Sequence, residues 1–344
     1  MIKIYQSILA IIVLAFLAGQ THVSAQRAGE YTYDFLNLTN SARVGALGGN
    51  QVGMDVNDLN FVFHNPAALN PNLNQHATFN FVPYVSDIRY GYAGYAHHFN
   101  KLGTFSLGVH NINYGSFDRT DEQGNINGTF SAAEYAIHIA YSKVLSPKLT
   151  AGMAVKPIIS NFENYNSTGL TADIGLMYKS ADSLFTAGIT LKNFGAQLTT
   201  YNDVYESVPT DFQIGISKKL RHAPFRFSIT AQHLFDWDTK YEVKDGNDEV
   251  VDDAGNDANG FDQLMRHMVL GLEFLPAKNF HVGFGYNHRR RQELGVESKM
   301  STTGFSWGFG FRVYKFHFAY GSARYHLAGS SNHFSISTNL SSFR

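Results

Sequence analysis

From His76 to the C-terminus the chain alternates apolar and polar positions with period two. Phe212, Ile214 and Ile216 alternate with Gln213, Gly215 and Ser217, and Phe225, Phe227, Ile229 and Ala231 with Arg226, Ser228, Thr230 and Gln232. Phe280 to Tyr286, Phe305 to Phe311 and Phe334 to Thr338 repeat the pattern. Successive side chains of a strand point to opposite faces, so each segment has one apolar and one polar face. Fourteen such segments, bounded by turn residues, fall at 76–85, 88–99, 102–117, 129–145, 148–160, 167–180, 184–197, 208–219, 224–236, 264–274, 279–290, 303–314, 315–323 and 331–340.

A soluble sandwich alternates in the same way, so the connections carry the distinction. Asn100-Lys101, Ser146-Pro147, Ala181–Ser183, Leu220–Ala223, Pro276–Lys278 and Val313–Lys315 are short. The connections after odd strands are longer, at 118–128, 161–166, 198–207, 237–263 and 291–302; only Ser86-Asp87 breaks the rule. Short periplasmic turns alternating with longer external loops are the pattern of an outer-membrane barrel. The predicted fold is all-β: a transmembrane outer-membrane β-barrel of about fourteen antiparallel strands, its external loops at the cell surface. An even strand count puts the N-terminal segment and the C-terminus on the periplasmic side.

Three regions follow from this pattern. Residues 1–25 have the layout of a signal peptide: Lys3, the apolar run Ile8 to Ala18, then Val23-Ser24-Ala25 before the expected cut. Residues 26–75 form a lead-in and a hatch, and 76–344 the barrel. Within the second region, Ser41 to Pro71 is rich in Gly, Asn and Ala, has no sustained period and closes on Asn65-Pro66-Ala67 and Asn70-Pro71. Proline removes a backbone donor and turns the preceding residue away from helix, so the stretch is irregular. A barrel of fourteen strands is wider than side chains alone fill, so this stretch is predicted to be a periplasmic hatch that plugs it.

Composition agrees with a membrane barrel. Phe (28), Tyr (19) and Gly (31) are abundant while charged residues make up only 16%. The balance of 27 basic and 28 acidic residues gives no basic excess for nucleic acid. Cysteine is absent, which excludes disulfides and thiolate metal sites.

Few motifs carry chemistry. Gly304-Phe305-Ser306-Trp307-Gly308 matches the G-x-S-x-G string of serine hydrolases, which needs a strained turn between strand and helix. Here the alternation runs straight through to Phe311, so Ser306 is predicted to face the lumen and the chain to be no enzyme. The loop holding Asp245, Asp248, Glu249, Asp252, Asp253 and Asp257 is strongly acidic. With Gly260 at the glycine position of a calcium loop, Gly255 and Arg266 fall where ligands belong, so that motif fails. The loop is instead the first candidate for docking an extracellular partner. Arg289, Arg290 and Arg291 end a strand at an external loop, where guanidinium groups match the phosphates of lipopolysaccharide. His97-His98 has no second pair at metal-ligand spacing. No metal or cofactor is expected.

Ser41-Ala42-Arg43-Val44-Gly45-Ala46-Leu47-Gly48-Gly49, followed by Asn65-Pro66-Ala67, resembles the N-terminal hatch of FadL-like outer-membrane proteins. With the lead-in Tyr31-Thr32-Tyr33-Asp34-Phe35-Leu36, it more closely resembles the PorV/PorQ branch found in Bacteroidetes. The resemblance covers essentially the whole chain after the signal peptide. It implies a fourteen-stranded barrel of the type IX secretion system, with Ser41, Arg43, Gly45, Gly48, Gly49, Asn65, Pro66 and Ala67 in the hatch. It also implies a non-enzymatic anchor for a PorZ-like surface protein that supports attachment of secreted cargo to lipopolysaccharide. The alternative is a FadL-type transporter of long-chain fatty acids or other hydrophobic compounds. The lumen faces carry Ser, Thr, Gln, Asn, Gly and Arg, which weighs mildly against that alternative.

Overall fold

A computed structural model describes residues 31–235, 237, 242–244, 250–252, 260–293, 302–326 and 329–343. The strands are β1 (His76–Pro83), β2 (Arg89–Phe99), β3 (Gly103–Thr120), β4 (Ile126–Ser146), β5 (Leu149–Phe162), β6 (Tyr165–Lys179), β7 (Phe185–Thr199) and β8 (Asp211–Lys219). They continue with β9 (Phe225–Ala231), β10 (Glu242–Lys244), β11 (Val250–Asp252), β12 (Met268–Ala277), β13 (Phe280–Asn287), β14 (Phe305–Val313), β15 (Phe316–His326) and β16 (Gly329–Asn339). All except β10 and β11 close one antiparallel barrel in chain order, with β16 paired to β1 from His76↔Asn339 to Phe81↔Phe334. The fourteen predicted strands are therefore the fourteen staves of the wall.

The differences lie at the ends of strands. Residues 264–267 are not strand, because Gly260–Arg266 forms a helix, α2, pinned by an Arg266–Asp262 ion pair of 2.8 Å. β13 stops at Asn287, where the helix His288–Glu293 (α3) begins. The connection expected at 161–166 shrinks to Glu163 and Asn164, because Phe162 pairs with Tyr165 and Glu163 turns at φ 55°. Long connections remain at 200–210, 232–267 and 288–304, all at one end of the barrel.

The two faces of the wall divide as the alternation requires. Phe79, Leu107, Ile139, Ile174, Phe284, Trp307 and Ile336 are exposed on the outside, and Ser106, His138, Ser160, Thr171, Thr190, Ser228 and Ser335 are buried inside. An apolar exterior on a closed barrel buries no backbone donor unpaired, which is what a strand-built membrane span demands.

The N-terminal segment fills the interior. It contains one α-helix, α1 (Ala42–Ala46), and short 3-10 turns at Asp34–Asn37, Leu59–Phe63, Pro66–Ala68 and Pro71–Leu73. Each 3-10 turn with proline at its start is capped by the preceding asparagine, Asn65 or Asn70, whose side chain accepts from the backbone two residues on. The segment begins at the long-loop end, where Thr32 N donates to Ser207 O at 2.9 Å, and runs down to the short-turn end at His76. Loop parity alone places it wholly at the short-turn end. The structure instead threads it through the lumen, because the wall leaves a polar tube that, among the described residues, this segment fills.

Candidate functional site

The hatch is seated on glycines. A Cβ at Gly152 would lie 2.3 Å from the Pro66 carbonyl carbon, one at Gly175 2.0 Å from Asn65 Oδ1, and one at Gly188 2.3 Å from Val52 O. On the opposite wall, Gly285 meets Gly48 N, Gly308 meets Ala46 Cβ and Gly321 meets Ala42 O just as closely. The register aligns several of them across neighbouring strands, as Gly152↔Gly175 and Gly308↔Gly321, and sets Gly188 opposite Gly215, which meets Gly53 N. Only a residue without a side chain lets hatch backbone approach strand backbone so closely. Alternation places such glycines on the polar faces without showing what they admit; glycine opposite glycine on neighbouring strands is the signal that marks them.

Asn65-Pro66-Ala67 explains itself in this seat. Asn65 Oδ1 accepts from Ala67 N at 2.9 Å, while its amide donates to Val52 O at 3.0 Å and to Leu176 O on β6 at 3.3 Å. One side chain thus caps a turn, ties two hatch segments and docks them on the wall. Ser41 caps α1, and Ala42 N donates to Ser335 Oγ at 2.9 Å. Gly45 lies against the His333 ring. Ser306, the second residue of β14, accepts from Gly48 N at 3.0 Å and donates to Ala46 O at 2.9 Å. It is a lumen-facing strand residue engaged by the hatch, and strand rather than helix follows it, so there is no nucleophile elbow.

Arg43 locks the hatch electrostatically. Its Nε donates to Glu273 Oε1 at 2.7 Å and its Nη2 to Oε2 at 3.3 Å, while Nη1 lies 3.5 Å from Asp58 Oδ2. Glu273 on β12 is fully buried and also accepts from Arg226 of β9 at 2.9 Å. A buried carboxylate persists only when its charge is compensated this completely. On the other side of the lumen, Lys156 and Asp173, both fully buried, pair at 2.7 Å, followed around the wall by Lys192 and Asp211. Phe63 of the hatch sits over this row, 5.8 Å from Lys156 Nζ and 5.4 Å from Lys192 Nζ, with His110 and His138 rings at 5.0 and 5.6 Å. Beside it, burial and the nearby Lys192 ammonium hold His64 well below its ordinary pKa, so it is a neutral imidazole. Of these charged positions the sequence points only to Arg43, as a hatch residue; Glu273, Lys156, Asp173, Lys192 and Asp211 carry no signal of their own, because their partners lie on other segments of the chain.

Above the charged row, toward the long-loop end, the lumen turns apolar. Tyr33, Phe35 and Leu36 of the lead-in pack on Val82, Tyr90, Ile112, Ala136 and Ile158 of β1 to β5 and on Val208. The polar lumen expected from the strand faces is therefore interrupted by an apolar cluster. Directly outside it the wall is indented. β3 is bulged between Asn113 and Ser116, with Gly115 at φ 87°, and a depression of about 770 Å³ opens there across β1, β2 and β3. It is lined by outward Phe79, Phe81, Ala93 and Val109 and also by inward-facing Asn80, Tyr90 and Tyr92. Tyr90 thus belongs both to the depression and to the apolar cluster behind it.

The remaining sequence candidates do not converge on this site. Asp245, Asp248, Glu249, Asp253 and Asp257 lie outside the described residues, and Asp252 ends the short β11. Of the arginine run, Arg290 turns inward and donates to Gly48 O at 3.0 Å, and Arg289 acts electrostatically on Asp34 and Asp211. Arg291 is exposed. His98 bonds Thr104 at 2.9 Å. Among the described residues no three His, Asp or Glu side chains are grouped as metal ligands.

No family model matches the chain, and no curated protein is similar to it by sequence. Solved structures share its fold. The Ralstonia pickettii toluene transporter TbuX superposes with a TM-score of 0.52 at 12% identity, covering 88% of this chain and 99% of that one. The CymD monoaromatic hydrocarbon channel gives 0.51 at 13% identity, covering 88% and 97%. The Pseudomonas putida toluene transporter TodX gives 0.50 at 11% identity, covering 87% and 96%. At this identity the likeness shows the fold: a closed fourteen-stranded barrel like those of FadL-like outer-membrane proteins.

Proposed function

We propose that the chain is a FadL-type outer-membrane transporter of small hydrophobic compounds. One observation carries this reading: an apolar cluster inside the barrel mouth shares Tyr90 with a depression in the lipid-facing wall at the β3 bulge. An apolar molecule entering at the long-loop end meets Phe35, Leu36, Val82 and Ile112, beside the buried Glu134 carboxyl that lies opposite Ile112, above the Lys156 to Asp211 row. The indented wall then offers a way sideways into lipid, past Tyr90, without crossing the Lys156 to Asp211 row. Transfer of apolar surface from water favours the first step, and the second exchanges one apolar surrounding for another. The structural neighbours named as toluene and monoaromatic transporters support the same class of permeant. The test is uptake of radiolabelled toluene and of a long-chain fatty acid by cells lacking their own transporter. Expression of this barrel is expected to raise the uptake of at least one; uptake equal to barrel-free cells overturns the reading.

The hatch favours a second reading. Glycine seating and the Arg43–Glu273–Arg226 lock hold the lumen shut, which suits a barrel serving as a membrane anchor. In that reading the chain is a PorQ-like component of the type IX secretion system, and its external loops hold a PorZ-like surface protein beside lipopolysaccharide. Affinity capture from solubilised outer membranes then recovers a secreted surface protein; capture of none removes this reading.

A further inference from the structure

The outward face of the wall carries an anomaly at the same depression. Strand register places Phe81, Gly91, Asn111, Tyr135 and Ile159 at one level across β1 to β5. Tyr135 and Ile159 are apolar and exposed there, as a lipid-facing belt requires. Gly91 and Asn111 interrupt that belt, and one step toward the long-loop end Arg89 pairs in register with Asn113. The Arg89 side chain is exposed and, among the described residues, makes no hydrogen bond or ion pair; Asp87, two residues away on the same rim, is not paired with it. The β3 bulge, in which Gly115 N donates to Asn113 Oδ1 at 2.8 Å, widens the gap into the depression.

The depression is therefore amphipathic along the membrane normal. Its lower part is Phe79, Ala93 and Val109, and its upper rim is Asp87, Arg89, Asn111 and Asn113. We propose that it seats one phosphorylated glycolipid of the outer leaflet. The acyl chains lie against Phe79, Ala93 and Val109. Arg89 takes a phosphate, for which a guanidinium offers paired parallel donors. Asp87, Asn111 and Asn113 hydrogen-bond sugar hydroxyls, which a carboxylate and two amides suit as acceptors and donors. A simple glycerophospholipid supplies the phosphate but leaves most of this rim unused, so the glycolipid is the better fit. The level is right as well, because the rim lies just beyond the apolar belt, where headgroups begin. This seat does not depend on transport. Where transport occurs, the lipid covers the sideways exit and a departing permeant displaces it.

The test is competitive lipid retention read by native mass spectrometry on the purified full-length barrel in detergent. The probes are bis-phosphorylated lipid A, dephosphorylated lipid A and phosphatidylglycerol at equal concentration. The wild-type barrel is expected to retain lipid A at least tenfold over each competitor. Arg89→Ala should lower it to the level of the dephosphorylated form, and Asn111→Val with Asn113→Val to that of phosphatidylglycerol. Equal retention of lipid A and phosphatidylglycerol by the wild type overturns the proposal, as does unchanged selectivity in Arg89→Ala. Should a variant fail to assemble, the wild-type competition decides alone. Retention is measured without any transport step, so failure here and failure of uptake are separate results.

Discussion

Removing the Glu273 carboxylate is the sharpest perturbation of the hatch. In Glu273→Ala, Arg43 loses bonds of 2.7 and 3.3 Å and Arg226 one of 2.9 Å, leaving Asp58 at 3.5 Å as the nearest compensation for Arg43. Breaking a buried ion pair by deleting one partner costs about 3–5 kcal/mol, since a charge is left unpaired out of water. Arg226 belongs to the wall and Arg43 to the hatch, so the hatch escapes part of this cost by leaving its seat. Taking about 3 kcal/mol for that part shifts the seated-to-released balance by a factor of roughly 150. Arg43→Ala should do less, because Arg226 still neutralises Glu273. The assays are single-channel conductance in planar bilayers and protease cleavage within 31–75 in detergent. Both should rise from wild type through Arg43→Ala to Glu273→Ala, with the barrel still migrating as an assembled species. Replacing Arg43, Arg226 and Glu273 together with methionine, and Asp58 with asparagine, leaves no unpaired charge in this cluster and should restore closure. Unchanged conductance and cleavage in Glu273→Ala would refute the lock.

Other expectations follow from the same contacts. Gly175→Leu drives a side chain into Asn65, so overpacking of about 1–3 kcal/mol should loosen the hatch, as limited proteolysis reports. Gly260→Ala, with open space around it, serves as the neutral control. Because His64 is neutral when seated but protonates below about 6.5 when released, the released hatch binds more protons there. Seating should therefore weaken as pH falls below about 6.5, by up to about 1.4 kcal/mol per pH unit for this group. Cleavage rates between pH 7.5 and 5 should climb for wild type and climb less for His64→Gln; equal slopes would remove His64 from the account. In the anchor reading, trimming 240–260 abolishes recovery of the surface partner while the barrel still assembles, and retained recovery moves the docking site elsewhere.

The barrel was legible because its signal is local. Alternation of Phe, Ile and Val with Ser, Thr and Gly needs no knowledge of partners, and short turns such as Asn100-Lys101 separate the staves. What escaped depends on residues far apart in the chain. Arg43 and Glu273, or Lys156 and Asp173, become pairs only when the barrel closes. Arg43 alone is one more hatch residue, and the others are each one more polar residue on a lumen face. The apolar patch was hidden in the same way, since Tyr90, Ile112 and Ile158 come from three strands and Phe35 from the lead-in. The irregular stretch at 41–71 pointed to the hatch through its glycines and prolines, but its path along the lumen did not. That path is set by where wall glycines such as Gly152, Gly285 and Gly321 leave room for backbone.

The central claim is that a hydrophobic molecule passes from the apolar mouth sideways through the indented wall. Ala93 faces outward in the depression, and Ala93→Trp fills it without touching the hatch or the buried charges. Uptake of radiolabelled toluene and of a long-chain fatty acid by cells carrying wild type or Ala93→Trp, matched for assembled barrel, is the most direct measurement. The account predicts uptake above barrel-free cells for wild type and a fall of roughly tenfold for the variant, equivalent to about 1.4 kcal/mol on the exit step. Equal uptake by the two barrels would contradict it.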